Sequence, residues 1–321
     1  MIAQLRTEVK KLLKEKKVDV VIGWEKGTLP LTCSPFFMYE EKDVDRLIFD
    51  ETCRNNLTTY LTKDKRKLGK VNDKVGIMVK GCDARSIVLY SVEKQIKREN
   101  VVIIGVPCDG ILEKKKVVKE AEGNEILETK VDADNFIIKG HSFEKKIPLK
   151  DVLCDSCLTC CYPDAPEHDI FIGKPRKEVD VKDEYKEITD FEKLSAAERW
   201  DYIREEYSKC IRCYACRNVC PSCYCNVCFV DQNDPQWIGK TPEVTDSVIF
   251  HLIRNLHVAG RCVDCGACVS ACPVDLNLRI MSKKVEKEIK DRFDYTAGTD
   301  INEKPAMASY CEHEKQDFIM G

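Results

Sequence analysis

The sequence predicts an α/β N-terminal domain with a parallel sheet, followed by a mainly α-helical domain built on two cysteine repeats. The first prediction rests on 75–106, where two apolar runs flank a helical pattern in a strand–helix–strand unit. The second rests on two copies of one cysteine motif, with helical patterns around them. With 321 residues, the chain is long enough to bury a hydrophobic core in each domain.

The N-terminal elements follow one another in a regular order. Residues 1–17 have apolar side chains at helical spacing and lysines on the other face, which is typical of an amphipathic helix. A strand candidate, 18–22, comes directly after it. In the strand–helix–strand unit we expect strands over 75–79 and 101–106 and a helix over 84–98. Consecutive strands joined by a helix indicate a parallel sheet.

Changes in composition divide the chain into four segments. We expect the α/β domain over 1–150, a Cys-rich segment with a charged connector over 151–190, the helical domain over 191–295 and a C-terminal tail over 296–321. The helical domain opens with the capping-box pattern Ser-Ala-Ala-Glu at 195–198, which marks a helix N-terminus.

Cysteine accounts for 20 of the 321 residues, and this count requires an explanation. The first residues lack the apolar core of an export signal, and no apolar run reaches the roughly 18 residues of a membrane span. We therefore expect a cytoplasmic protein without a membrane span, in which dense cysteine indicates metal rather than disulfides. The net charge of −3 argues against nucleic acid as a partner.

The most informative feature is a repeat of the motif C-x2-C-x2-C-x3-C-P. The first copy runs from Cys210 to Pro221, and the second from Cys262 to Pro273. A cubane iron–sulfur cluster needs four thiolate ligands, and gaps of two residues let one loop supply three of them. In two-cluster ferredoxins the fourth cysteine of each motif binds the other cluster.

The repeat therefore predicts two 4Fe-4S clusters with crossed ligand sets. The first set is Cys210, Cys213, Cys216 and Cys272. The second set is Cys262, Cys265, Cys268 and Cys220. Structural zinc is the alternative, but zinc needs only paired C-x2-C knuckles and does not favour four cysteines and a proline in this order.

The remaining cysteines suggest additional metal, as one or two further iron–sulfur clusters. One dense group is Cys154, Cys157, Cys160 and Cys161, and another is Cys223, Cys225 and Cys228. Cys82 and Cys108 each follow a predicted strand, and sites assemble at the carboxyl ends of parallel strands. They are thus expected to meet beside the Cys154 group.

Candidate ligands of a further metal site are Cys160, Cys161, Cys223, Cys225 and Cys228. No role is predicted for Cys33, Cys53 or Cys311.

Two family resemblances extend these predictions. The two motifs and the helix between them resemble the helical ferredoxin domains of fumarate reductase and of heterodisulfide reductase C-like subunits. Three stretches in the N-terminal half, Val75-Gly-Ile-Met-Val-Lys-Gly-Cys82, Ile103–Cys108 and Cys154–Gly173, resemble the beta-subunit family of coenzyme F-420 (deazaflavin) hydrogenases and formate dehydrogenases. The second resemblance implies a domain that carries an iron–sulfur cluster and FAD. It also implies a third set of cluster ligands, Cys82, Cys108, Cys154 and Cys157.

The sequence contains neither a G-x-G-x-x-G nor a Walker A motif, so it supplies no nucleotide fingerprint for FAD. Asp83 and Arg85 lie at a predicted helix N-terminus, where they would contact a cofactor phosphate or a partner, or else cap the helix. No arrangement of catalytic acid–base residues is recognisable.

The leading functional hypothesis is an iron–sulfur electron-transfer subunit of a multi-subunit anaerobic oxidoreductase. The two resemblances point to complexes of the heterodisulfide-reductase, hydrogenase or formate-dehydrogenase type, with flavin- or metal-containing redox subunits as partners. One alternative is an FAD-containing dehydrogenase subunit that converts hydride into single electrons. A second alternative is a structural or assembly protein stabilised by zinc.

Overall fold

The structure is a computed structural model that describes residues 1–62, 74–176, 181 and 184–308. The strands are β1 (Val20–Lys26), β2 (Cys33–Met38), β3 (Leu47–Ile48), β4 (Val75–Val79), β5 (Val101–Gly105), β6 (Glu128–Asp132), β7 (Asn135–Lys139), β8 (Glu144–Pro148) and β9 (Ile170–Phe171). The helices are α1 (Ile2–Lys14), α2 (Gly81–Val92), α3 (Lys114–Glu120), α4 (Leu149–Val152), α5 (Asp155–Leu158), α6 (Lys186–Glu192), α7 (Ala196–Ser208), α8 (Ala215–Val219), α9 (Val244–His257), α10 (Ala267–Ser270) and α11 (Arg279–Phe293). Short 3-10 helices occupy Glu41–Arg46, Leu57–Tyr60, Arg98–Asn100 and Ala306–Ala308.

The N-terminal part, 1–176, is organised around a mixed sheet that has six strands in the described residues. Its order is β2-β1-β4-β5-β9, and β3 pairs with β1. β1, β4, β5 and β9 are mutually parallel, whereas β2 and β3 run antiparallel to β1. All five residues of β4 are buried, as expected for a central strand that is covered on both faces. The predicted α/β class and parallel arrangement are thus confirmed.

A second, antiparallel sheet in the order β6-β7-β8 follows α3, and the sequence pattern did not predict it. Its strands are rich in charged residues and have only one buried face. Phe136, Ile138 and Ile147 pack there against Val117 of α3 and Val152 of α4. Alternation of this kind is typical of a sheet that faces solvent on one side.

The C-terminal part, 184–308, is helical, as predicted. At the start of α7, Ser195 Oγ accepts the backbone N–H of Glu198, and the Glu198 carboxylate accepts the N–H of Ser195, so the capping box is formed. The core between α7 and α9 contains Tyr207 and Phe250. None of the helices in the described ranges is both long and apolar enough to cross a membrane.

The two cysteine motifs have the same backbone conformation. Arg212 and Asp264 occupy equivalent positions and have φ angles of 55° and 48°. Tyr214 and Gly266 are also equivalent, with φ angles of 59° and 68°. Each motif then enters a short helix, α8 or α10. The repeat in sequence is therefore also a repeat in structure.

The two parts of the chain are in direct contact. A Cβ atom at Gly266 would lie 2.4 Å from Ser156 Oγ, so only glycine permits this approach of the second motif to α5. Arg85 of α2 donates from Nε to the backbone oxygen of Ala297 at 2.8 Å, and from Nη1 to that of Val263 at 3.4 Å. These contacts bring the second motif next to the carboxyl ends of β4 and β5.

Candidate metal centre

The second set of cysteines surrounds one small buried cavity of about 30 Å³. Cys262, Cys265 and Cys268 of the second motif line it, and Cys220 of the first motif completes the group. Burial raises the pKa of the Cys265 thiol to about 12, and the neighbouring Cys220 thiol adds to the increase. Four cysteines from the two motifs thus line one cavity.

Members of the first set lie in the core of the C-terminal part. Cys210, Cys216 and Cys272 are buried there, whereas Cys213 is exposed. Burial raises the pKa of Cys216 to about 12, with contributions from the thiols of Cys268, Cys210 and Cys272. Cys216 therefore lies near its own set and also near Cys268 of the second set.

The third set lines a larger cavity of about 270 Å³, which we call the cysteine cavity. The cavity lies where β4 and β5 end, so the chain leads from these strands directly to Cys82 and Cys108. Gly81 lets the 162–164 segment close one side, because a Cβ atom there would lie 1.8 Å from the backbone oxygen of Tyr162. The cavity is lined by seven cysteines: Cys82, Cys108, Cys154, Cys157, Cys160, Cys161 and Cys265.

A polar network links the cysteine cavity to the second motif. Ser270 Oγ donates to Glu113 Oε2 at 2.6 Å, and the Cys154 thiol lies 3.6 Å from the same carboxylate oxygen. Arg54 pairs with Glu113 at 3.3 Å. Contact with Cys157 lowers the pKa of Cys154. Cys154 is therefore the member of the third set whose pKa is lowered, whereas the pKa values of Cys82, Cys108 and Cys157 are raised.

The five cysteines considered for one further metal site lie in two different places. Cys160 and Cys161 line the cysteine cavity, whereas Cys223, Cys225 and Cys228 line a separate cavity of about 470 Å³. The structure does not bring these two groups together. Within the described ranges, no group of three or more His, Cys, Asp or Glu side chains is arranged around a single metal ion.

Asp83 and Arg85 both have structural partners. Asp83 is completely buried, forms an ion pair with Lys80 at 2.8 Å and accepts the Lys80 backbone N–H at 3.1 Å. Arg85 lines the cysteine cavity, where its guanidinium lies over the Tyr162 ring and holds the C-terminal part by the two bonds described above. Asp83 thus caps α2, and Arg85 joins the two parts of the chain.

Of the cysteines without a predicted role, Cys33 begins β2 and lies next to Cys53. The Cys33 thiol donates to the backbone oxygen of Thr52 at 2.9 Å. A hydrogen bond with the Cys53 thiol lowers the pKa of Cys33 to about 7. Cys311 lies outside the described residues.

Sequence reasoning missed three buried polar residues next to the thiols. His251 Nε2 lies 3.4 Å from Cys210 Sγ, and Arg254, on the same face of α9, donates to the backbone oxygen of Cys216 at 3.2 Å. Arg212 is buried inside the first motif, where the second motif has Asp264. Alignment of the two motifs could have revealed Arg212, because the second copy has an aspartate at that position. Nothing in the pattern of α9 distinguished His251 and Arg254 from other residues of the helix.

Comparisons with known proteins agree with this geometry. Residues 257–276, which contain the second motif, match the 4Fe-4S binding domain family. The F420-dependent formate dehydrogenase subunit beta of Methanocaldococcus jannaschii is 25% identical over 92% of this chain and 91% of its own length. A formate dehydrogenase 1 subunit beta of Methanococcus maripaludis, also F420-dependent, is 24% identical over 94% of this chain and 92% of its own length. The chain is similar to these beta subunits over more than nine-tenths of its length.

Among solved structures, a chain of the F420-reducing NiFe hydrogenase complex from Methanosarcina barkeri is similar. It has a TM-score of 0.42 and 14% identity, and the alignment covers 64% of this chain and 86% of that one. The family match and the curated relatives together support the predicted class of function, an iron–sulfur electron-transfer subunit of an oxidoreductase complex.

Proposed function

We propose that this chain relays electrons through three 4Fe-4S clusters in a multi-subunit oxidoreductase of the formate-dehydrogenase or hydrogenase type. The first, second and third sets would each hold one cluster. One observation carries the proposal: Cys220 of the first motif lines a cavity with Cys262, Cys265 and Cys268 of the second. This crossing is the ligand arrangement of two-cluster ferredoxins.

The residues present fit such clusters. Thiolates are the ligands that iron–sulfur clusters require, and each predicted set supplies four. A cluster, when bound, takes up and passes on one electron at a time. A chain of this kind contributes the ligands, excludes water from the buried sets and adjusts the potentials through neighbouring charges.

The relation between the cavities supports a relay. Cys265 belongs to the second set and also lines the cysteine cavity, and Cys216 of the first set is close to Cys268 of the second. The second set therefore lies next to each of the other two. Exposed Cys213 would bring the first cluster near the surface, where a partner subunit can exchange electrons.

The relatives suggest the partners. Both are beta subunits of F420-dependent formate dehydrogenases, and each alignment covers more than nine-tenths of this chain. We infer that the deazaflavin coenzyme is a two-electron carrier for the complex and that the partner subunits contain a flavin or a metal centre. FAD bound to the N-terminal part is the second candidate, which the resemblance to the deazaflavin beta-subunit family implies. The cysteine cavity, at about 270 Å³, is slightly below the roughly 300–1,000 Å³ of typical cofactor pockets.

Zinc has less support. A structural zinc ion draws its four ligands around one point at about 2.0–2.3 Å. In the part of the chain that is described, no three potential ligands are arranged in this way. The thiols of the third set share a wider cavity of about 270 Å³, which fits a cluster better than an ion.

Anaerobic purification followed by iron, sulfide, zinc and flavin analysis of the same sample tests the proposal. We expect about twelve iron atoms per chain for three clusters and about eight if the third set is empty. Cys108→Ala should lose about four iron atoms and keep the ferredoxin-type EPR signals. Cys265→Ala should lose one of those signals while the other remains. Cys33→Ala, outside all three sets, is the control. Stoichiometric zinc without iron would contradict the proposal.

A further inference from the structure

Arg254 is a buried cation that has no acidic partner among the described residues. Its side chain belongs to α9 and is 4% exposed. Nη2 donates to the backbone oxygen of Cys216, whereas Nε and Nη1 have no hydrogen-bond partner among the described residues. Because burial of an unpaired charge is costly, such a residue requires a compensating negative group.

The groups around Arg254 are thiols of both ferredoxin-type sets. Its guanidinium borders the cavity of the second set and also the cavity of Cys223. Cys220 and Cys268 line the first of these cavities, Cys223 lines the second, and Nη2 of Arg254 bonds the backbone of Cys216. Arg254 therefore lies where the first and second sets come together.

Other arginines of this region have ordinary partners. Arg217 pairs with Asp231 at 2.8 Å, and Arg261 pairs with Glu93 at 2.6 Å. Arg279 is held by Asp264 at 2.7 Å. Among the described residues, Arg254 shares the lack of an acidic partner with Arg212, which lies inside the first motif, but Arg254 is the one that borders the cavity of the second set.

We propose that Arg254 is the shared counter-charge of the first and second clusters and holds both at more positive potentials than they would otherwise have. A cluster bound by four thiolates is a net anion and becomes more negative on reduction. A buried cation nearby therefore favours the reduced form, and the low polarity of the site strengthens the effect. This inference rests on the proposed function, because it requires clusters at both sets.

Two substitutions of Arg254 by side chains of similar length separate the effect of its charge from the effect of its packing. Arg254→Met removes the charge and Arg254→Lys keeps it, while Arg204→Met removes a charge from an exposed side chain of α7 as the control. Each protein is purified anaerobically as the full chain, analysed for iron and sulfide, and titrated with a reductant while the EPR signals are recorded.

We expect Arg254→Met to shift the midpoint potentials of both ferredoxin-type signals in the negative direction, with Arg254→Lys and Arg204→Met remaining close to the wild type. If Arg254→Met fails to hold iron while Arg254→Lys retains it, the requirement for charge is also supported. Unchanged potentials in Arg254→Met, or equal iron loss in both Arg254 variants, would overturn the inference. A wild-type chain without iron would instead refute the proposed function.

Discussion

His251 Nε2 lies 3.4 Å from Cys210 Sγ, across a separation of 41 residues. The ring is 1% exposed and stacks on Tyr207, with 4.6 Å between the ring centroids. Burial, together with the charges of Arg254 and Arg212, lowers the pKa of His251 to about 3. The ring is therefore neutral at physiological pH, and its Nε2 edge is directed at a predicted cluster ligand.

This buried neutral histidine makes the stability of the protein depend on pH. The pKa of His251 is depressed in the folded state, so the unfolded chain binds the additional proton. Stability is thus complete above the unfolded pKa of 6.5 and falls as pH decreases from there toward 3. The slope is about 1.4 kcal/mol per pH unit, or about 2 kcal/mol between pH 6.5 and 5.

We expect His251→Gln to lose this part of the pH dependence. The measurement is anaerobic guanidinium unfolding at pH 7, 6 and 5, followed by visible absorbance. His141→Gln, at an exposed position, is the control and should keep the wild-type slope. Identical slopes in wild type and His251→Gln would show that the ring is not kept neutral by burial.

Gly266→Ala should weaken the contact between the second motif and α5. An added Cβ would lie 2.4 Å from Ser156 Oγ, and the residue has a φ of +68°. Gly123→Ala is the matched control, because its φ is +84° but no atom lies within 4 Å. We expect about 1 kcal/mol of destabilisation from the backbone conformation in both variants. Only Gly266→Ala should show an additional loss in thermal unfolding, and Ser156→Gly should relieve part of that loss.

Lys80→Met should destabilise the N-terminal part strongly. The Lys80–Asp83 pair is buried, and removal of the lysine leaves an unpaired carboxylate, at a cost of about 3–5 kcal/mol. Lys10→Met removes one partner of an exposed pair with Asp45 and should cost at most about 1 kcal/mol. Denaturant titration of both variants provides the comparison. A Lys80→Met variant as stable as Lys10→Met would contradict the buried pair.

Arg212→Gln should lower the potential of the first cluster alone. Arg212 is buried, its Nη2 donates to the backbone oxygen of Gly239 at 3.1 Å, and its charge lies near Cys210. The equivalent Asp264 lies at the second motif, where Arg279 and Lys283 pair with it. A redox titration followed by EPR should show one signal shifted in the negative direction and the other unchanged. Equal shifts of both signals would indicate that Arg212 does not act locally.

The sequence predicted best where one local pattern decides the structure. β4 was predicted over its observed bounds, and the capping box at Ser195 and Glu198 formed as expected. The end positions of β4 and β5 also correctly suggested that Cys82 and Cys108 would meet the Cys154 group in one cavity. Parallel topology alone carries this information, because the carboxyl ends of parallel strands lie at one edge.

The rest depended on contacts between distant residues. The sheet β6-β7-β8 escaped prediction because its strands are short and charged, with few buried positions to create a pattern. The position of Arg254 is set by the packing of α9 against two cysteine loops, which no periodicity reveals. The close approach of Gly266 to Ser156 likewise appears only after both parts have folded.

Both parts of the chain line the cysteine cavity. Gly81 and Cys157 belong to the N-terminal part, and Cys265 and Lys283 belong to the C-terminal part. Neither part encloses it alone. Replacing the C-terminal part by another ferredoxin-like domain would open the cavity to water unless the new domain kept two features. These are a glycine opposite Ser156 and a backbone carbonyl that accepts from Arg85. The wall of the cavity therefore depends on residues of both parts.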